Sequence, residues 1–224
     1  KPNMALAIYD YALASLSNVK TRLSISNSNF DTMLTLMINR ATDAIENYCG
    51  RRFKETTYTN ERQDGGNGYY KTISLNNYPV SAVSAAQYDN GLPNSPSWVS
   101  FLSSDWQLLI DGKLGTTDIS KFGRIEFPGG APEGRSNLRF SYTAGYKISW
   151  ADEGNVSAHN LPGDIADICE RLVVRMFKKR EAEGLDETTA NNVTMRWAAQ
   201  LLSDSDKELL NGHKDRKSTR LNSS

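Results

Sequence analysis

Only two cysteines and two histidines occur in 224 residues, no apolar run approaches the ~20 residues of a membrane-spanning helix, and neither sign of charge is in excess. Each scarcity removes a class of function. Cys49 and Cys169 both fall at apolar positions of predicted helices and read as reduced core residues. His159 and His213 stand in polar stretches with no neighbouring ligand types, which argues against a zinc site or a histidine base and makes both solvated loop residues. Lys+Arg and Asp+Glu balance at 26 each, and the last eleven residues hold Lys214, Arg216, Lys217 and Arg220 against Asp215, so residues 1–213 carry a net charge of −3. A stable grip on nucleic acid needs the opposite surplus, arranged in Arg-aromatic clusters that the sequence does not display. No secretory leader is expected, and no internal repeat is visible. The run from Lys217 to Ser224 lacks periodicity and an apolar anchor, so 214–224 reads as foreign to the fold, and Lys1-Pro2-Asn3 as lying ahead of a start at Met4.

What is present is a long amphipathic pattern that ends abruptly. Phe30, Met33, Leu34, Met37, Ile38, Ala41, Ala44, Ile45, Tyr48 and Cys49 share one face at helical spacing, and Thr32, Thr35, Asn39, Thr42, Asp43 and Glu46 share the other. This predicts a helix with one face on the core and the other in water, capped by Ser28 or Asn29 and stopped by a left-handed Gly50. Ser15 or Ser17 opens a shorter helix ahead of it. A second long helix follows Leu161-Pro162-Gly163, with Asp164 and Asp167 in its first turn, Lys178-Lys179-Arg180 in its last, and Ile165, Ile168, Cys169, Leu172, Val173 and Met176 facing the core. Ser203 caps a short final helix.

Between the long helices the period changes. Asp64-Gly65-Gly66-Asn67-Gly68, Asp89-Asn90-Gly91, Asp111-Gly112 and Pro128-Gly129-Gly130 punctuate short β-prone runs. In Leu138–Thr143 apolar Leu138, Phe140 and Tyr142 alternate with Arg139, Ser141 and Thr143, so a half-buried strand is expected, paired with 106–110 and 124–127. Residues 93–104 read as a loop. The fold class is therefore α+β: a bundle of about four helices with an antiparallel β insertion between the long ones. The expected organisation is one domain over 1–213, with helical core 15–53 and 161–212 and β insertion 54–146.

The catalytic readings are weak. Gly65–Thr72 offers glycines and a Lys71-Thr72 pair, but Tyr69-Tyr70 intervene and a strand follows, so a hairpin turn is the better account than a phosphate loop. Asp204, Asp206 and Glu208 alternate as in a calcium loop, yet Leu209 stands where glycine is required, which leaves a capped helix start. No Gly-x-Ser-x-Gly turn occurs. No enzyme activity, metal or cofactor is expected. Asn155-Val156-Ser157 and Asn192-Val193-Thr194 match a glycosylation pattern by chance, and Arg51-Arg52 reads as a solvated pair at a helix exit.

The order of a short capped helix, then Leu34–Cys49, Gly50-Arg51-Arg52-Phe53, Asn77-Tyr78-Pro79-Val80-Ser81-Ala82-Val83, Tyr142-Thr143-Ala144-Gly145-Tyr146, Leu161-Pro162-Gly163-Asp164-Ile165 and finally Leu201-Leu202-Ser203-Asp204 resembles the head-tail connector (adaptor) proteins of tailed bacteriophages, over roughly residues 15–212. Two departures are the long polar stretch from Gly91 to Phe122 and the unusual tail. The resemblance implies a structural virion protein of the neck, assembled in the host bacterial cytoplasm as a homo-oligomeric ring of about twelve copies. It would dock under the portal protein, extend the DNA channel without binding DNA specifically, and offer a platform to the next neck or tail protein, with no membrane contact. A head-closure or tail-completion protein, or a monomeric binding module, are the alternatives.

A ring subunit must bury two flanks. Leu36 and Val174 break the polar faces of the long helices and are the candidates for a subunit interface, while Trp197, Leu201, Leu202, Leu209 and Leu210 supply more apolar surface near the C-terminus than a linker needs and are the candidates for portal contact.

Overall fold

The computed structural model describes residues 7–66, 71–91, 95–114, 117–152, 155, 158–183 and 202–214, with side chains left aside at 152 and 180–183. Two compact units result. One draws on Lys1–Phe53, Ile148–Glu153 and Leu161–Ser224, the other on Lys54–Lys147 and Gly154–Asn160.

The first unit holds four helices among the described residues: α1 (Leu16–Leu23), α2 (Asp31–Cys49), α3 (Gly163–Glu183) and α4 (Asp204–Asn211). Ser15 caps α1 through its Oγ, which accepts from Asn18 N at 3.0 Å. Gly50 ends α2 in the left-handed conformation at φ 68°, as the pattern required. At the other end of α2 the capping position is Phe30, with no side-chain cap, rather than Ser28 or Asn29. Val19, Leu34, Ile38, Ala41, Ile45, Ile165, Ile168, Leu172 and Val173 are fully buried, so the apolar stripes of α1, α2 and α3 meet in one core.

Most of the polar face of α2 does not lie in water, although Thr32 is exposed and Asp43 half-buried. Thr35, Asn39, Thr42 and Glu46 are all buried. Residues 7–14 form an irregular strap with Ala12, Leu13 and Ala14 at 0% exposure. Its backbone is received by the polar side chains of α2. Asn39 accepts from Tyr9 N at 2.9 Å and donates to Ala7 O at 3.0 Å, and Thr42 Oγ1 accepts from Leu13 N at 3.1 Å. A buried irregular segment must have its amides and carbonyls paired, and these side chains are the partners. Trp150 Nε1 donates to Ala12 O at 2.8 Å and completes the strap's attachment.

The second unit carries nine strands among the described residues: β1 (Thr56–Gln63), β2 (Thr72–Ser74), β3 (Val80–Asp89), β4 (Trp98–Ser100), β5 (Gln107–Leu108), β6 (Gly112–Leu114), β7 (Thr117–Ile119), β8 (Arg124–Glu126) and β9 (Leu138–Ala144). They form three antiparallel sheets, ordered β1-β9-β3-β4, β2-β8-β5 and β6-β7. This overturns a helical bundle bearing a β insertion, because strand and helix contribute about equally and the strands build a core of their own. That core joins Ile73, Val80, Ile125, Phe127, Leu138, Phe140 and Tyr142, and the rings of Tyr88, Phe101, Phe127 and Phe140 follow one another at 4.9, 5.2 and 6.4 Å.

The alternation along β9 is as read, Leu138, Phe140, Tyr142 and Ala144 being buried, but its partners differ. β9 lies between β1 and β3, whereas β5 and β8 pair with each other in another sheet. Residues 93–104, expected as a loop, include β4 on the edge of β3. β1 and β2 join different sheets and do not pair with each other, and residues 67–70 of the expected hairpin turn lie outside the described residues. Gly145 takes φ +112°, and a Cβ there would lie 2.7 Å from Lys54 O, so only glycine fits where the Tyr142–Tyr146 segment crosses the chain.

Candidate interaction surfaces

The C-terminal helix is held by one buried carboxylate. Ser203 Oγ accepts from Asp206 N at 3.2 Å while Asp206 Oδ2 accepts from Ser203 N at 3.1 Å, a reciprocal capping box. Asp206, at 0% exposure, also pairs with Arg175 through Oδ2 and with Arg171 through Oδ1 at 3.1 Å. Burial pushes its pKa up, but the hydrogen bonds from Arg175 and Ser203 outweigh that and hold the carboxyl below the usual aspartate range. The arginines extend the chain of charge along α3: Arg171 reaches Asp167 at 3.0 Å, and Arg22 of α1 bridges Asp167 and Glu170.

The inner side of α4 closes on the end of α2. Leu210 and Leu202 are buried, Cys49 Sγ lies 3.9 Å from Leu210 O, and Tyr48 Oη donates to Asn211 Oδ1 at 3.1 Å. His213 is no solvated tail residue, since Nε2 lies 2.8 Å from Asp164 Oδ2 and its ring stands edge-on to Phe53. Lys214 Nζ sits 3.9 Å above the Tyr48 ring. His159 is likewise buried. Both thiols are free of disulfides and buried, and burial raises the pKa of each to about 12.

The exit from α2 is fixed in a similar way. Glu46 Oε1 accepts from Phe53 N at 3.0 Å, and its other oxygen takes the Arg52 guanidinium, which also lies 4.9 Å from the Tyr11 ring. Arg51 is buried against Phe53 at 5.2 Å, whereas Arg52, with its side chain 60% exposed, is the solvated member of the pair.

Of the residues proposed from sequence for interfaces, Leu36 on α2 and Val174 on α3 are half-buried. Leu209 is 49% exposed, beside Asp204, Ser205 and Glu208 on the outer face of α4, whereas Leu202 and Leu210 point into the helical unit. Trp197 and Leu201 lie outside the described residues. Among the described residues, no group of three or more His, Cys, Asp or Glu side chains could hold a metal ion, and no helix is long and apolar enough to cross a membrane.

One cluster was not legible in the sequence. In the second unit the Trp98 ring lies 4.4 Å from the Arg139 guanidinium and 5.2 Å from that of Arg62, an Arg-aromatic cluster assembled from three strands. Only the pairing register, which brings position 62 opposite 139, could have revealed it.

Residues 13–91 match the family model described as phage gp6-like head-tail connector protein, so the resemblance read from the sequence holds over that segment. No curated protein matches. Among solved structures, the chain is similar to one described as the neck of an empty GTA particle computed with C6 symmetry, at 17% identity and a TM-score of 0.46, over 88% of this chain and 92% of that one.

Proposed function

We propose that this chain is a structural virion protein of a phage neck, a head-tail connector whose copies close into a ring beneath the portal. The match of residues 13–91 to the connector family carries the reading. That segment spans α1, α2, the Gly50–Phe53 corner and strands β1 to β3. A channel for DNA must let DNA pass, and a net charge of −3 over residues 1–213 is compatible with passage rather than retention. Subunit contacts are assigned to the flanks bearing Leu36 and Val174. Portal contact is assigned to the C-terminal segment through Trp197, Leu201 and the exposed Leu209, with Leu202 and Leu210 seating that segment on its own subunit.

The test is electron microscopy and mass photometry of the purified protein, alone and with the portal protein encoded in the same genome. Rings of fixed copy number that cap the portal support the connector. A monomer that stays monomeric with portal present overturns it and favours a binding module, and attachment to the tail side alone favours a tail-completion protein.

A further inference from the structure

Across the open face of the four-stranded sheet one row runs through all four strands: Arg62 on β1 stands opposite Arg139 on β9, Arg139 opposite Gln87 on β3, and Gln87 opposite Ser100 on β4. Arg139 Nε donates to Gln87 Oε1 at 2.6 Å, and Gln87 Nε2 donates to Ser100 Oγ at 3.3 Å. Two like charges set directly opposite each other across strands destabilise a sheet. Among the described residues neither guanidinium has a carboxylate partner. The nearby acids are engaged elsewhere. Glu61 receives Tyr142 Oη, the Asn77 amide group and Gln63, and Asp89 Oδ1 receives the amides of Gly91 and Ser97. Trp98 lies against both guanidiniums, and Gln87 takes the Nε–H of Arg139, which leaves the terminal N–H groups of Arg139 and the fork of Arg62 to meet an anion.

We propose that this face docks an acidic segment of a partner protein, whose adjacent carboxylates bridge Arg62 and Arg139. A carboxylate pair matches two neighbouring guanidinium forks in charge and in planar geometry. Duplex DNA fits less well. It presents a charge about every 1.7 Å and is gripped by a stripe of cations, whereas the rest of this face is hydroxyl-bearing Thr57, Ser141 and Thr143, and residues 54–147 hold nine basic against nine acidic side chains. The inference does not depend on the neck assignment.

The experiment compares the full-length wild-type chain with the double variant Arg62→Gln/Arg139→Gln. Binding of a fluorescent poly-glutamate peptide and of a short duplex DNA is followed by anisotropy, and thermal stability is measured on the same samples. The expected result is salt-sensitive peptide binding that falls about tenfold or more in the variant, a loss of the size that removing charge-assisted hydrogen bonds produces, with an unchanged or raised Tm because the like-charge pair is gone. Equal binding by both proteins, or no peptide binding at all, overturns the proposal. So does preferential DNA binding that the variant loses, which would make this a phosphate-contact face. A Tm lowered by several degrees would show that the arginines serve the fold instead.

Discussion

Asp206→Ala should release the C-terminal helix without unfolding the rest. The substitution removes the N3 half of the capping box, in which Asp206 accepts from Ser203 N, at about 1 kcal/mol for an ordinary hydrogen bond, and hydrogen bonds to charged groups, worth about 1.5–3 kcal/mol. Arg171 and Arg175 are 33% and 35% exposed, so water recovers part of what they lose. The net effect should be about 2–4 kcal/mol on the docking equilibrium of α4, a roughly 30- to 700-fold rise in its open population at about 1.4 kcal/mol per tenfold. The helix covers its own reporter: Cys49 is fully buried beneath Leu210 and its thiol is pushed up to about 12, so it reacts only when α4 lifts. Thiol labelling of Cys49 under native conditions, with Cys169 in the central core as the control, reads the opening directly. In the variant Cys49 should label faster by that factor while Cys169 stays protected. Asp206 has a lowered pKa in the folded chain, so its contribution is complete above the ordinary aspartate value near 4 and is lost only as pH falls through the lower, folded value. The difference between the two proteins should therefore persist undiminished through neutral pH. Labelling within about threefold of wild type, below ~0.7 kcal/mol, would show that Asp206 does not anchor α4. Simultaneous labelling of Cys169 would show global rather than local opening.

Leu172→Ala should cost about 2–5 kcal/mol in urea unfolding, the range for truncating a buried leucine, because Leu172 is at 0% exposure in the centre of α3; a loss below about 0.5 kcal/mol would mean that this face of the helix is not the core. Thr42→Val keeps the shape but leaves the Leu13 amide without its acceptor, so unfolding should be easier by about 1–3 kcal/mol, and an unchanged midpoint would remove the strap from the stabilising structure. Leu36→Asp and Val174→Asp, at half-buried positions of the helical unit, should retain the circular dichroism of the wild type yet weaken ring assembly, and normal rings from both would exclude those flanks. Truncation before Asn192 should abolish portal capture, whereas truncation after Lys214 should not, since it keeps the His213 and Lys214 contacts with the helical unit; capture surviving the longer deletion would move the portal surface elsewhere.

The helices were legible because their determinants are local. Ser15 capping, the left-handed Gly50, the Ser203 start and the core stripe Ile165–Val173 follow from residues at most a few positions apart. What misled was the polar face of α2. Thr35, Asn39, Thr42 and Glu46 have the composition of a solvated surface, and the same composition serves a helix whose neighbour is an irregular backbone with amides to satisfy. Periodicity records polarity, and polarity does not distinguish water from a buried peptide group.

The sheets failed differently. Each short run of β-prone residues was recognisable, but pairing in a unit of nine strands joins segments as distant as β1 and β9, and no local signal states that Gln63 opposes Leu138 rather than a nearer strand. Register also decides which side chains become neighbours. Arg62, Trp98 and Arg139 are unremarkable polar-face residues until β1, β9, β3 and β4 are laid side by side, and then two arginines of like charge share one tryptophan. The absence of an Arg-aromatic cluster was a correct statement about the linear sequence and an incorrect one about the surface. Features built on a single helix, such as the Ser203 cap, are therefore readable before the fold is known, whereas a site spread over antiparallel strands exists only once the register does.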